Sequence, residues 1–171
     1  MSRETAKDEA MGLRVDLRAE KAAVADVTRM VELVNSFAER GEMLPRTAGE
    51  LFETLRDFFV VRHEGDVVAC AALHVTWDDL AEVRSLAVRE GSQSLGLGTL
   101  LVQACVEEAR RLGLKRVFAL TMKPAFFEKL GFAQADVMTL SRKVWNECYR
   151  CPKFMSCDEI AMLLDIESAA P

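Results

Sequence analysis

The stretch from Leu80 to Gly98 carries the residue types and spacings of this chain that are best suited to chemistry. It begins with LAEVRSLAV, whose β-branched and leucine residues are typical of a strand, and Glu82 and Arg84 stand two residues apart in it. Because side chains alternate across a strand, both charges would project from the same face. A carboxylate suited to accept a proton would then lie beside a guanidinium suited to bind a carboxylate.

The same stretch ends in a glycine-containing turn that leads into a helix. Gln93, Gly96 and Gly98 precede TLLVQACVEEARRLG, in which apolar residues recur at helical spacing. A turn at a helix start presents free backbone N–H groups and the positive end of the helix dipole, which suits a phosphate group. Taken alone, however, the glycines are equally explained by a tight turn and by close packing without a ligand.

The context of this turn separates it from other phosphate-binding motifs. Leu101 stands where a dinucleotide-binding fingerprint would need its third glycine, and a Walker Gly-Lys-Ser/Thr is missing. The remaining pattern, Gln-x-x-Gly-x-Gly between a strand and an amphipathic helix, resembles the pyrophosphate loop of the GNAT acetyltransferase superfamily. The segment FFEKLGF at 126–132 is similar to the closing helix and Gly-Phe turn of that family. The resemblance implies an α/β fold, the GNAT fold, with a mixed central sheet flanked by helices.

The elements that must position these residues follow from periodicity and capping signals. In the first half of the chain we predict a strand at 13–19, a helix from Ala23 to near Gly41, a helix after Thr47 and a hairpin around His63–Asp66. A strand from Leu80, a helix ending at Gly113, a strand at 115–121 and a short helix at 124–131 follow. The predicted final part is a strand at 132–140, an irregular helical excursion at 141–157 and a last strand at 159–166. The run from Val67 to Leu73 is nearly all apolar, which predicts a strand buried on both faces.

Length and composition predict one globular domain, which we place at residues 13–171 after a flexible tail at 1–12. We expect no membrane contact, because the sequence lacks both an apolar run of about 18 residues and the apolar region of a signal peptide. The net charge of −5 argues against nucleic acid as a partner. Five cysteines without an export signal indicate reduced thiols and a cytoplasmic location.

The resemblance assigns the contacts of acetyl-CoA, the expected co-substrate, to three segments. They are Leu86, Ala87 and Val88 on the strand, Gln93, Ser94, Leu95, Gly96, Leu97, Gly98 and Thr99 around the turn, and Phe127 in the closing helix. Many superfamily members have, at the position of Phe127, a tyrosine that protonates the departing CoA thiolate. The only tyrosine of this chain is Tyr149. A thiolate with a reference pKa of about 8.5 can nevertheless leave near neutral pH, with Thr121 or a water as a weak donor.

Further segments, among them LPRTAGELFETLRDFFVV and KVWNECYRCPKFMSCDEIAMLLDI, are similar to the short bacterial N-acetylglutamate synthases of arginine biosynthesis. This resemblance implies transfer of the acetyl group to the α-amine of L-glutamate, by direct attack of the amine on the thioester. It makes Glu82 the candidate base, with a salt bridge as the structural alternative. The two substrate carboxylates call for cations, and Arg46, Arg84 and Lys123 are the candidates; for each, the alternative is a solvated surface charge.

Other functions remain open from the sequence. The acceptor could be another small amine or a protein N-terminus, the fold could bind acyl-CoA without turnover, and a homodimer stays open. Cys148, Cys151 and Cys157 would suit a metal-sensing or redox protein, but structural zinc nearly always takes four ligands and no histidine is near, so we expect no metal. His74 is interpreted as a packed strand histidine, and Cys70 as a buried small apolar residue.

Overall fold

The computed structural model describes residues 17–140 and 148–166. Its strands are β1 (Ala19–Lys21), β2 (Phe58–His63), β3 (Asp66–Val75), β4 (Leu80–Val88), β5 (Arg116–Thr121), β6 (Ala133–Gln134) and β7 (Ile160–Asp165). Its helices are α1 (Val27–Ala38), α2 (Ala48–Glu53), α3 (Leu97–Arg111) and α4 (Pro124–Glu128). The strands form one seven-stranded sheet in the order β1-β2-β3-β4-β5-β7-β6. The described pairs are antiparallel except β4 with β5, so the predicted mixed α/β sheet flanked by helices is confirmed.

The core lies on both faces of this sheet. Helix α3 packs on one face with Ala71 and Leu73 of β3, and α1 packs on the other face with Cys70 and Ala72. From Ala69 to Leu73, successive β3 residues enter opposite core clusters, and the whole run from Val67 to Leu73 is buried, which is why it is apolar throughout. The prediction that this strand is buried on both faces is confirmed.

Local signals at the helix ends are confirmed as well. The Thr47 hydroxyl accepts a hydrogen bond from the Glu50 N–H at 3.2 Å, and the Glu50 carboxylate accepts one from the Thr47 N–H at 2.7 Å, so α2 starts with the expected capping box. Gly113 follows α3 with φ of 77°, a left-handed conformation that glycine adopts without steric cost.

Two predicted strands differ from the structure. β1 lies later than expected, at Ala19–Lys21 beside β2, while residues 13–16 of the predicted strand lie outside the described residues. The strand predicted at 132–140 ends at Gln134, because the Asp136 carboxylate accepts a hydrogen bond from the Met138 N–H at 2.9 Å and starts a single 3-10 turn, Val137–Thr139. The last strand is confirmed as β7, antiparallel to β5.

The predicted N-terminal tail at 1–12 and residues 141–147 of the predicted helical excursion also lie outside the described residues. The described part of that excursion contains a short 3-10 turn, Phe154–Ser156. Within the described ranges, no helix has the length and apolar character needed to cross a membrane.

Candidate active site

A β-bulge interrupts β4 within the candidate site. Between the pairs Ala72–Arg84 and Cys70–Ala87, β3 advances by two residues and β4 by three. Ser85 is the extra residue, and its φ of 53° lies in the left-handed region. The Cys70 thiol supports the bulge by a long contact of 3.7 Å from its Sγ to the Ser85 carbonyl oxygen.

The bulge changes which side chains face which core. Ahead of it, Ala81 and Val83 enter the cluster under α3; beyond it, Leu86 and Val88 pack against that cluster, while Ala87 enters the cluster under α1. The parity of the strand is therefore reversed after Ser85.

Beyond the first residues of β4, a cleft opens between the two parallel strands. β4 pairs with β5 only through Leu80, Ala81 and Glu82, which lie opposite Arg116, Val117 and Phe118. In the described part of the chain, no strand pairs with β4 on that side from Val83 to Val88. An extended ligand could add along this edge of β4 through backbone hydrogen bonds.

The glycine turn closes one end of the cleft. A short 3-10 turn, Gln93–Leu95, leads to Gly96, whose φ is 76°, and α3 begins at Leu97. The Gln93 side-chain amide donates to the Val88 carbonyl oxygen at 3.2 Å, so the turn is tied to the end of β4. The first N–H groups of α3 lack intrahelical partners by the geometry of a helix and carry the positive end of its dipole. This arrangement is suited to an anionic phosphate.

Both glycines of the turn also have structural roles. Gly96 adopts the left-handed conformation, and a Cβ atom on Gly98 would lie 3.3 Å from the Phe126 ring. Gly98 thus allows α4 to approach α3 closely. The glycines therefore have the structural roles that the sequence left open. These roles are compatible with phosphate binding by the N–H groups at the start of the helix.

Phe127 does not line the cleft surface. Its side chain is 4% exposed in the main core and makes edge-to-face ring contacts with Phe126 at 5.1 Å and Phe132 at 5.2 Å. Phe126, half-buried beside Gly98, is the ring of the pair that retains exposed surface. The contact of Phe127 with the co-substrate stays a prediction.

Glu82 occupies the last position at which β4 pairs with β5, at the point where the cleft opens. Glu82 and Arg84 lie opposite His74 and Ala72 of β3, two positions apart before the bulge, so they share a face as the sequence predicted. Both are partly buried, and both have interaction partners. Their roles as base and as carboxylate-binding residue remain predictions.

His74 is a residue whose environment sequence reasoning missed. Its Nδ1 lies 2.7 Å from the Asp57 carboxylate, and its side chain is 36% exposed. Its partly buried place on β3 agrees with the interpretation as a strand histidine, but the carboxylate contact was not predicted. Because side chains alternate along a strand, the sequence could have shown that His74 shares a face with Ala72. Its position opposite Glu82 depends on the register between two strands, which the sequence does not specify.

Two of the predicted carboxylate-binding residues are linked through the segment between α1 and α2. The Asn35 side chain accepts a hydrogen bond from the Arg46 N–H and donates one to the Arg46 carbonyl oxygen, both at 2.9 Å, which fixes this segment on α1. From the same segment, the Glu42 carboxylate lies 3.9 Å from the Lys123 ammonium. A hydrogen bond from Arg40 at 2.7 Å is the main reason that the pKa of Glu42 is lowered.

Of the late cysteines, Cys148 lies within electrostatic range of Glu82. Burial, followed by the negative charge of Glu82, raises the pKa of the Cys148 thiol to about 11. The segment from Cys148 to Asp158 is also tied to the α1–α2 segment, because the Lys153 ammonium donates to the Gly41 carbonyl oxygen at 2.9 Å. Among the described residues, no group of three or more His, Cys, Asp or Glu side chains is placed to hold a metal ion.

Comparisons with known proteins agree with this geometry. A family model described as acetyltransferase (GNAT) family matches residues 27–132. An uncharacterized N-acetyltransferase of Chlorobaculum tepidum is 36% identical over 148 residues, which are 86% of this chain and 96% of that protein. An amino-acid acetyltransferase of Mycobacterium tuberculosis is 35% identical over 133 residues, 76% of each chain.

One solved structure is similar over nearly the same range. The N-acetylglutamate synthase of Neisseria gonorrhoeae, complexed with coenzyme A and N-acetyl-glutamate, superposes with a TM-score of 0.80 at 25% identity. The match covers 88% of this chain but 35% of that longer chain.

Proposed function

The chain belongs to the GNAT acetyltransferase family, and from this premise we propose that it transfers the acetyl group of acetyl-CoA to the α-amine of L-glutamate, the first step of arginine biosynthesis. The observation that carries the proposal is the cleft between β4 and β5, which has Glu82 at its start and the α3 N-terminus at its end. The similarity to amino-acid acetyltransferases supports the choice of an amino acid as acceptor.

Acetyl-CoA would lie along the open edge of β4. Its diphosphate would accept hydrogen bonds from N–H groups between Gln93 and Thr99, and its pantetheine amides would pair with the backbone of Leu86, Ala87 and Val88. The acetyl group would then reach the region of Glu82. A net charge of −5 does not oppose this placement, because the attraction comes from local peptide dipoles.

The proposed reaction is a direct attack. Glu82 removes a proton from the substrate ammonium, directly or through a water, and the free amine nitrogen attacks the thioester carbonyl carbon. The nitrogen of the tetrahedral intermediate still carries a second proton, which it gives to a water as the intermediate collapses with cleavage of the C–S bond, and the CoA thiolate takes one proton in return. Phe127 replaces the usual tyrosine acid, so we propose that a water or Thr121, at the end of β5, supplies that proton. Holding both reactants in one cleft provides much of the rate through proximity.

The two carboxylates of glutamate would bind to Arg46, Arg84 and Lys123. Arginine forms two parallel hydrogen bonds to a carboxylate, and lysine contributes a point charge. A substrate carboxylate would compete with Glu42 for Lys123, since the Lys123 ammonium lies 3.9 Å from the Glu42 carboxylate. The same contact favours glutamine as a second candidate acceptor, because a neutral side chain would not compete with Glu42.

The proposal is tested by incubating the purified protein with acetyl-CoA and a panel of amino acids and small amines, while released CoA is measured and the product is identified by mass spectrometry. We expect turnover with glutamate, at a kcat/KM above that for glutamine. Turnover with a different amine alone would refute the acceptor but keep the enzyme class. Binding of acetyl-CoA without release of CoA, across the panel, would instead support an acyl-CoA-binding protein.

A further inference from the structure

The pair formed by His74 and Asp57 lies on the same side of the sheet as the candidate base. His74 is the register partner of Glu82 on the neighbouring antiparallel strand. Directly opposed side chains on such strands project from the same face, with Cβ atoms about 5 Å apart. On this face, the Asp57 carboxylate contacts the His74 ring, Glu82 lies opposite His74, and Arg84 lies opposite Ala72, two residues before His74.

The bond to Asp57 sets the tautomer of the imidazole. An ionised carboxylate can only accept hydrogen bonds, so His74 Nδ1, at 2.7 Å from Asp57 Oδ2, must carry the hydrogen. In the neutral ring Nε2 then holds the lone pair. Asp57 is itself fixed, because its N–H donates to the Thr54 carbonyl oxygen at 2.9 Å and β2 begins at the next residue.

The proposed chemistry needs a group of this kind. Conversion of an ammonium and acetyl-CoA into an amide and the CoA thiol releases one proton to solvent for each turnover. Glu82 would hold that proton at the end of the reaction and must lose it before the next cycle. Glu82 is partly buried near Cys148, whereas the His74 side chain is 36% exposed.

We propose that His74, oriented by Asp57, is a positioning residue that passes the proton from Glu82 to solvent. Nε2 accepts the proton released by the Glu82 carboxyl group, and the resulting imidazolium, stabilised by the Asp57 carboxylate, delivers it to water. This inference rests on the proposed function in one point, that Glu82 is the base for an amine, and it does not depend on which amine is acetylated.

The first test compares His74→Ala with His63→Ala, the matched variant of the other histidine, which lies at the far end of β2. We expect His74→Ala to lower kcat by about 10- to 100-fold, within the usual worth of a proton-transfer group. The KM for acetyl-CoA should not change. Added imidazole should restore kcat of this variant in a saturable way, while Glu82→Gln should not respond. His63→Ala should behave as the wild type.

Two results would overturn the inference. One is an unchanged kcat in His74→Ala. The other is a fall in kcat that imidazole does not restore, together with a lower Tm and a higher KM for acetyl-CoA. That combination would indicate a structural role for His74. If glutamate is inactive but another amine is acetylated, the proposed acceptor fails, and the same comparison is made with that amine.

A second measurement is independent of turnover. Nitrogen-15 NMR of the histidine rings should show the Nδ1–H tautomer for His74 at a pH where the ring is neutral. Asp57→Asn, whose amide can donate to Nδ1, should increase the Nε2–H tautomer and lower kcat. An Nε2–H tautomer in the wild type would refute the relay, because Nε2 could not accept a proton.

Discussion

At the scale of single residues, the chemistry depends on where β4 stops pairing with β5. Glu82 is the last paired residue of β4 on that side, so its backbone is fixed by two neighbouring strands while its side chain lies at the mouth of the cleft. A carboxylate one position earlier would project from the opposite face, and one placed after the bulge would follow a reversed parity. This position explains why Glu82, among the 27 acidic residues of the chain, is the candidate base.

Replacement of Glu82 by glutamine tests its role. We expect kcat to fall by about 100-fold or more, because the amide cannot accept the ammonium proton. Acetyl-CoA affinity, measured by calorimetry, should stay near the wild-type value. Glu107→Gln on the exposed surface of α3 is the matched control. A wild-type rate in Glu82→Gln would remove this residue from the mechanism.

The cations proposed to bind the substrate carboxylates lead to a prediction on the KM for glutamate. Arg46→Ala and Arg84→Ala should raise the KM for glutamate by about 10-fold or more, the usual cost of losing a hydrogen bond to a charged group, with a much smaller effect on the KM for acetyl-CoA. Lys123→Ala should have a weaker effect, because this side chain is 72% exposed. Lys129→Ala, an exposed cation that follows α4, is the control. Equal changes in both KM values would contradict carboxylate binding.

At the scale of elements, the β4 bulge and the salt link of α1 are the features that maintain the site. The bulge contains Ser85 in the left-handed conformation within a strand, and it bends the edge of β4 toward the cleft. On the other side of the sheet, Arg62 of β2 binds Asp26 at the start of α1 with nitrogen–oxygen distances of 3.0 and 2.6 Å. This pair fixes the helix that carries the α1–α2 segment.

The bulge can be tested at Ser85. A β-branched residue is poorly compatible with φ of 53°, so Ser85→Val should destabilise the fold by about 1–2 kcal/mol. It should also weaken acetyl-CoA binding, because relief of the strain would shift the β4 register. Ser85→Gly, which adopts the same conformation freely, should retain both properties. Urea unfolding and calorimetry provide the measurements; equal stability of the two variants would argue against a required left-handed residue.

The Asp26–Arg62 pair predicts a pH dependence of stability. Burial acts to raise the pKa of Asp26, but the hydrogen bonds from Arg62 and the Ala23 N–H, with the charge of Arg62, lower it overall. The stabilisation is therefore complete above the unfolded-state pKa of about 3.9 and is lost as pH falls toward the folded-state value.

Asp26→Asn should lower the free energy of unfolding by about 2 kcal/mol at neutral pH, as expected for a lost hydrogen bond to a charged group, and should flatten the decline of this free energy in acid. Urea unfolding at several pH values checks this, with Asp78→Asn in the exposed β3–β4 turn as the control. A parallel decline in the variant and the wild type would assign the acid sensitivity to other groups.

Part of this organisation was readable from the sequence. Thr47 and Gly113 act within one turn of the chain, so their signals need no knowledge of the tertiary structure. The Gln93-to-Gly98 turn was found in the same way. The His74–Asp57 bond was not, because it joins two elements whose alignment depends on register and bulges. A one-residue slip would have moved every side chain to the other face.

At the scale of the whole molecule, three separate regions converge on the cleft. The α1–α2 segment, the β5–α4 connection with Lys123 and the segment that contains Cys148 are joined by the contacts of Glu42 and Lys153. The site is thus assembled from parts that are far apart in the chain. An occupied cleft should therefore stabilise the fold as a unit.

A thermal-shift experiment tests this coupling and the glycine turn together. CoA at about 100 times its Kd should contribute about 2.7 kcal/mol, which corresponds to a rise in Tm of about 5–10 °C for a chain of this size. Pantetheine, which lacks the diphosphate, should give a much smaller rise at the same concentration. Equal shifts for the two compounds would show that the turn does not bind the diphosphate.

The position of β7 has a consequence for synthesis on the ribosome. This strand is the last of the sheet to be made, yet it lies between β5 and β6 and not at a border. Until residue 165 has left the exit tunnel, the side of β5 that pairs with β7 is an unpaired strand edge, and such edges attract other chains. We therefore expect the nascent polypeptide to be most prone to association with other chains in the interval in which residues 122–159 have emerged and β7 has not.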